Sequence, residues 1–245
     1  MSLNFREPRP FPDSQKGKGF NKALVVGTIK KIEREGEETP LYDDYSRKDG
    51  TLYKAFVSNI LSSNNLIRIK GLNSSKRPEF AKNLAENFSE GDYVKATGSL
   101  SERYNETNEK CYREVFLWSI EEATEKDVER SAVVLQGFIK EIDYDLESEK
   151  LNVIIEIPKF NSEGYDEFRL EGDPNNKYVK WLIDKNPEKG TQIKIGCLLN
   201  NRVIYDELFG DIEEIVNNLE IVKITNFDEE IRKKEEDIDL DDLPF

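Results

Sequence analysis

The chain has no histidine. That excludes Ser-His-Asp triads, imidazole general bases and most zinc sites. It has two cysteines, Cys111 and Cys197, which read as reduced, buried thiols of a cytosolic protein rather than a disulfide framework. No apolar run approaches the roughly 18 residues of a membrane-spanning helix. The first twenty residues lack the apolar core of a secretory signal, and no Gly-rich phosphate loop is present. The acidic pairs Asp43/Asp44 and Asp143/Asp145 lack the fuller carboxylate set a cation needs, so they read as solvated loop residues. These absences point away from an enzyme and predict no cofactor and no metal.

The 245 residues are 37% hydrophobic and 35% charged, with 13 Phe and 10 Tyr. This is globular composition with a very polar surface, long enough for one large domain or two of about 100 residues. Net charge is −14, which by itself argues against nucleic acid. The acid is unevenly placed, however. Residues 1–130 hold 22 basic and 22 acidic residues, residues 131–226 hold 11 and 19, and residues 227–245 hold 3 and 9. Within the first segment, residues 47–82 carry 8 basic against 2 acidic. Basic stripes therefore lie in the N-terminal half.

The chain repeats itself. GTIKKIE from Gly27 is answered by GFIKEID from Gly137. IRIKG (Ile67 to Gly71) is answered by FRLEG (Phe168 to Gly172). FAKNLAENFSEGDYVKATGSL from Phe80 is answered by YVKWLIDKNPEKGTQIKIGCL from Tyr178. The blocks keep their order, which indicates duplication. Each copy reads as three strands, one short helix and two more strands. In the third strand Ile67 and Ile69 alternate with Arg68 and Lys70. In the helix Phe80, Leu84 and Phe88 recur at four-residue spacing, behind a start signal at Ser75 to Pro78. That order fits a five-stranded Greek-key barrel of the OB-fold type. An SH3-like barrel, the competing architecture, lacks the helix. The expected fold class is mainly β, with two tandem OB-fold barrels and a disordered acidic C-terminal tail. The expected bounds are 1–20 for a basic extended arm, 21–127 and 128–227 for the barrels, and 228–245 for the tail. The second copy carries an added amphipathic stretch, Tyr205 to Glu220, which predicts a small extra helix.

OB-folds bind single strands across strands two and three and the loops beside them. Such a site needs aromatic faces for the bases and cations along the backbone. The first copy offers both. The loop EGEETPLYDDYSRKDGTLYK supplies Tyr42, Tyr45, Arg47, Lys48, Tyr53 and Lys54. Strand three supplies Arg68 and Lys70, with Lys76 and Arg77 beyond it. The last loop supplies Arg103, Tyr104, Tyr112 and Arg113. Each tyrosine fits either a stacking platform or ordinary surface, and Arg68 with Lys70 fits a solvated strand face equally well. Phe56, Phe116 and Trp118 lie in apolar strands and are assigned to the core. The second copy holds Arg169 and Glu171 where the first holds Arg68 and Lys70, and its loops are acidic. It is assigned to architecture, self-association or partner binding. An adaptor with protein-binding barrels is the alternative reading.

The chain ends DIDLDDLPF, from Asp237 to Phe245. An OB-fold followed by an acidic tail ending Asp-Asp-Leu-Pro-Phe resembles the bacterial single-stranded DNA-binding proteins. The resemblance covers the last nine residues closely and the barrels at the level of fold. Tail and length are also similar to bacteriophage proteins of this class. The resemblance implies a partner-recruiting tip: Leu243, Pro244 and Phe245 anchor in an apolar pocket, and Asp239, Asp241 and Asp242 attract basic residues. Implied partners are single-stranded DNA and a helicase, primase, polymerase or recombinase, in a bacterial or phage-infected cytoplasm. Two barrels per chain and the lack of a long Gly/Gln/Pro-rich linker depart from the usual bacterial pattern.

Overall fold

The computed structural model describes residues 7–34, 37–46, 50–108, 110–146, 148–159, 163–205 and 212–228. The chain divides into two compact units. One comprises Lys22–Val133 and Leu199–Asn217; the other comprises Met1–Asn21, Val134–Leu198 and Asn218–Phe245, so far as these are described.

The first unit is built on a closed barrel. Strand β1 (Phe20–Lys30) pairs antiparallel with both β5 (Leu52–Ser62) and β7 (Tyr93–Asn105). Strand β6 (Asn65–Leu72) continues from β5, and β8 (Lys110–Glu122) pairs with β7 and, in parallel, with β6. Helix α1 (Phe80–Asn87) lies between β6 and β7 in sequence. Alternate residues face inward, so Phe56, Ile60, Ile67, Ile69, Val115 and Leu117 are buried. Each such large side chain contributes about 1.5–3 kcal/mol by leaving water. The segment expected to be a plain loop instead holds a small ladder of β2 (Glu33–Arg34) and β3 (Glu37–Glu38), then β4 (Tyr42–Ser46), which pairs along β5.

The second barrel repeats this plan with β9 (Arg130–Asp145), β10 (Lys150–Pro158), β11 (Tyr165–Gly172), α2 (Lys177–Lys185), β12 (Gln192–Tyr205) and β13 (Ile212–Asp228). The order β10-β11-β13-β12-β9 closes through β10–β9 pairing. The Asn176 side chain accepts from the Tyr178 amide to start α2, and Asn186, left-handed at φ 42°, ends it. The extra helix expected within Tyr205 to Glu220 is not formed at 212–220. Those residues belong to β13, where strand pairing favours the extended backbone over a short helix that is marginal by itself.

Two glycine pairs carry the duplication into three dimensions. A Cβ on Gly27 would stand 2.1 Å from Leu61 O, and one on Gly137 would stand 2.3 Å from Glu156 O. Both mark where the first strand of a barrel crosses the second too closely for any side chain. At the end of strand three, a Cβ on Gly71 would meet Leu84 of α1 at 2.6 Å, and one on Gly172 would meet Val179 of α2 at 2.7 Å. The helix packs directly against that glycine in both copies.

The N-terminal segment has a seat. Expected as an extended arm, residues 7–19 instead lie on the second barrel's unit. Gln136 and Gln192, both buried, each donate from Nε2 to the carbonyls of Gln15 and Lys18, at 2.9–3.2 Å. Gln192 Oε1 accepts from Gly17 N at 3.0 Å. The Arg9 backbone bonds Thr225 and Phe227 at the end of β13, and Phe11 is buried.

Candidate nucleic-acid interface

The outer face of β5, β6 and β8 is set by alternation. With Ile67 and Ile69 buried, Arg68 and Lys70 must point outward. With Val115 and Leu117 buried, Glu114 and Phe116 must do the same, while Trp118 is exposed at a β-bulge, between Leu117 and Ser119, which pair with Gly98 and Thr97. The parallel pairing of β6 and β8 sets Lys70 beside Phe116, and the antiparallel pairing of β4 and β5 sets Tyr45 opposite Tyr53.

Lys70 is the centre of the site. Its ammonium lies 5.2 Å from the ring centroid of Tyr53, 5.7 Å from that of Tyr45 and 5.8 Å from that of Phe116. It also donates to the Tyr53 hydroxyl at 2.8 Å. The Tyr45 and Tyr53 rings are 6.0 Å apart and tilted by 31°. At these separations the ring quadrupoles attract the cation. One cation framed by three aromatic rings offers a positive charge beside flat apolar faces, a chemistry suited to an anion with neighbouring ring systems.

Other expected residues flank this centre. Lys54 stands 5.6 Å from the Tyr42 ring. Arg68 pairs loosely with Glu114 at 3.8 Å, and its sheltered Nε makes no hydrogen bond. Arg77 donates to the Trp118 carbonyl at 2.5 Å and lies 4.0 Å from the Phe80 ring, next to exposed Lys76. On the β7–β8 hairpin, Arg103 lies 5.2 Å from the ring of its cross-strand partner Tyr112.

The structure directs two expected residues elsewhere. Tyr104 and Arg113 share the opposite side of that hairpin with Glu102 and Cys111, by their cross-strand pairing. Arg113 Nε bonds Glu102 at 2.7 Å, with side chains only 5% and 0% exposed. Its guanidinium is committed to an internal ion pair and not to the outer face. Arg47, Lys48 and the tip residues Asp239, Asp241, Asp242, Leu243, Pro244 and Phe245 lie outside the described residues.

Sequence reasoning missed Phe116 and Trp118. Both were assigned to the core, yet Phe116 is half-buried beside Lys70, and Trp118 is 44% exposed. The run VFLW is apolar at both parities, and the charged neighbours Arg113 and Glu114 occupy one parity each. Periodicity therefore could not choose the outward set. Phe56 is core, as expected.

The second barrel's matching face is chemically different. Strand β11 presents Glu167, Arg169 and Glu171, and its parallel contact sets Glu171 beside Glu220. The cations there are used internally. Lys140 bonds Glu167 and lies 3.8 Å from Glu156, and the Glu167 bond raises its pKa above the ordinary lysine value. Lys150 bonds Glu171 at 3.1 Å, and Arg169 lies 3.7 Å from Glu167. Among the described residues no cluster of three or more acidic or cysteine side chains could hold a metal, and no helix is long and apolar enough to cross a membrane.

No protein-family model matches the chain, and no curated protein matches it. Among solved structures, the wild-type single-stranded DNA binding protein from Thermus aquaticus is similar at 14% identity and a TM-score of 0.50. The match covers 86% of this chain and 94% of that one. A deletion mutant of the same Thermus protein is similar at 14% identity and a TM-score of 0.50, over 85% and 95% of the respective chains. The chain therefore has the OB-fold architecture of that protein, as the order of strands and helix anticipated.

Proposed function

We propose that the protein binds single-stranded DNA on the outer face of its first barrel, without strong sequence preference and without catalysis. The observation that carries this reading is Lys70 framed by Tyr45, Tyr53 and Phe116. Aromatic faces stack any base at about 1–3 kcal/mol each, while cations follow the backbone, so affinity comes without base-edge readout. The fold shared with the Thermus protein supports the reading, since OB-folds use these strands for oligonucleotides. The second barrel serves architecture or partner contacts. We extend the proposal to a role in DNA replication, recombination and repair, with partner enzymes recruited through the Leu243-Pro244-Phe245 tip.

Titration with oligo-dT tests the binding. Trp118, exposed on the proposed face, should report it by quenching, while buried Trp181 should not respond. Affinity should fall with salt at a log–log slope of about −0.7 for each phosphate contacted. Equal affinity for duplex of the same length would sink the reading. For recruitment, Phe245→Ala should leave oligo-dT binding intact and abolish capture of a helicase or primase; unchanged capture overturns that part.

A further inference from the structure

The first barrel's unit includes residues from the second repeat, Leu199–Asn217. Two asparagines of this segment bind backbone at one end of the outer face. Asn201 Nδ2 donates to Leu66 O at 2.7 Å, and the Asn201 amide donates to Asn65 Oδ1 at 3.0 Å. Asn217 Nδ2 donates to Cys111 O at 2.9 Å, while its Oδ1 and carbonyl both accept from Arg113 Nη1, at 2.8 and 2.9 Å. The parallel contact of β6 with β8 is centred on Ile69–Val115 and Lys70–Phe116. Four residues earlier on each strand come Leu66 and Tyr112. Two side-chain amides thus satisfy carbonyls on β6 and β8 beyond the centre of that contact.

Tyr112 sits between the two residues Asn217 holds. Its neighbours Cys111 and Arg113 face away from the outer surface, so fixing them fixes where Tyr112 points. Arg103 lies 5.2 Å from its ring centroid, and its hydroxyl accepts from Asn108 Nδ2 at 3.0 Å. The ring is 44% exposed. An exposed aromatic normally samples several rotamers, and ordering one on binding costs conformational entropy. Clamping the strand beneath it reduces that cost in advance.

We propose that Asn217 is a positioning residue for nucleic-acid binding. The second repeat lends it to the first barrel, where it holds β8 so that Tyr112 presents its ring to a base. The inference rests on the proposed single-stranded DNA binding and deepens it. It also gives the second repeat a part in binding that does not use its own acidic face.

A double-mutant cycle on the full chain tests it, with oligo-dT of about 15 nucleotides, a length near the upper end of OB-fold sites. Asn217→Ala should weaken binding about tenfold, because the unclamped Tyr112 must then be ordered on binding. In a Tyr112→Ala background the same substitution should have no further effect, because its target is gone. A merely structural role would weaken binding equally in both backgrounds, and that additive result overturns the proposal, as does unchanged binding of the single variant. Asn217→Asp keeps the Arg113 acceptors but loses the donor to Cys111. It should show the same non-additivity, and it carries the test if the alanine variant fails to fold. If the unaltered protein ignores oligo-dT, the proposed function fails instead.

Discussion

Where the first barrel sets Lys70 beside Phe116, the second sets Glu171 beside Glu220. The strands, helix, crossing glycines and closure are shared, so the fold tolerates either pair. What differs on the matching face is the outward parity. In the first barrel that parity carries rings around a cation. In the second it carries carboxylates whose lysine and arginine partners are already engaged. Fold and surface chemistry are thus separately encoded, by inward and outward residues of the same strands. A second contrast lies on the other side of the β7–β8 hairpin. The first barrel buries the pair Glu102–Arg113, while the matching positions of the second hold Asn200 and Asn217.

The comparison can be broken at several points. The largest effect belongs to Arg113→Ala. It removes the cation paired with Glu102, whose side chain is fully buried, and losing one partner of a buried ion pair costs about 3–5 kcal/mol. Denaturant unfolding should show this loss. Next is Lys70→Glu, which gives the first barrel the second's residue. Oligo-dT affinity should fall about a hundredfold at low salt, through a lost phosphate contact and a repulsive carboxylate, with unfolding midpoint unchanged. Tyr53→Ala or Phe116→Ala should cost about 1–3 kcal/mol of binding each, as a lost stacking face. Deleting residues 237–245 should raise affinity a few-fold at low salt only, because it removes four aspartates whose charge repels phosphate, a repulsion that salt screens. The smallest effect sharpens the contrast: Glu171→Gln should leave oligo-dT affinity unchanged, and a measurable gain would mean the second barrel's face also meets DNA.

Much of this was legible in the chain. The repeat delivered both barrels and their helices, since strand alternation and four-residue helical spacing are local signals. The contrast of Lys70 with Glu171 was legible too, because Ile67 and Ile69 set the outward parity unambiguously. Phe116 and Trp118 were not, because an apolar run hides its parity until a partner strand chooses it. The Tyr205 to Glu220 stretch misled for a related reason. Its amphipathic spacing fits a helix, but β-pairing overrides local preference.

The sequence by itself determined that the chain holds two OB-like barrels, that cations and tyrosines gather on the first, and that acid fills the second. Tertiary structure alone decided that Gln136 and Gln192 seat the N-terminal segment, that Arg113 is spent on Glu102, and that Asn217 joins the first barrel's unit. The reason is range. Propensity and periodicity act over a few residues, whereas Gly17–Gln192 and Arg113–Asn217 join positions 175 and 104 residues apart. Whether such groups meet depends on closing the barrels first, and no local pattern records it.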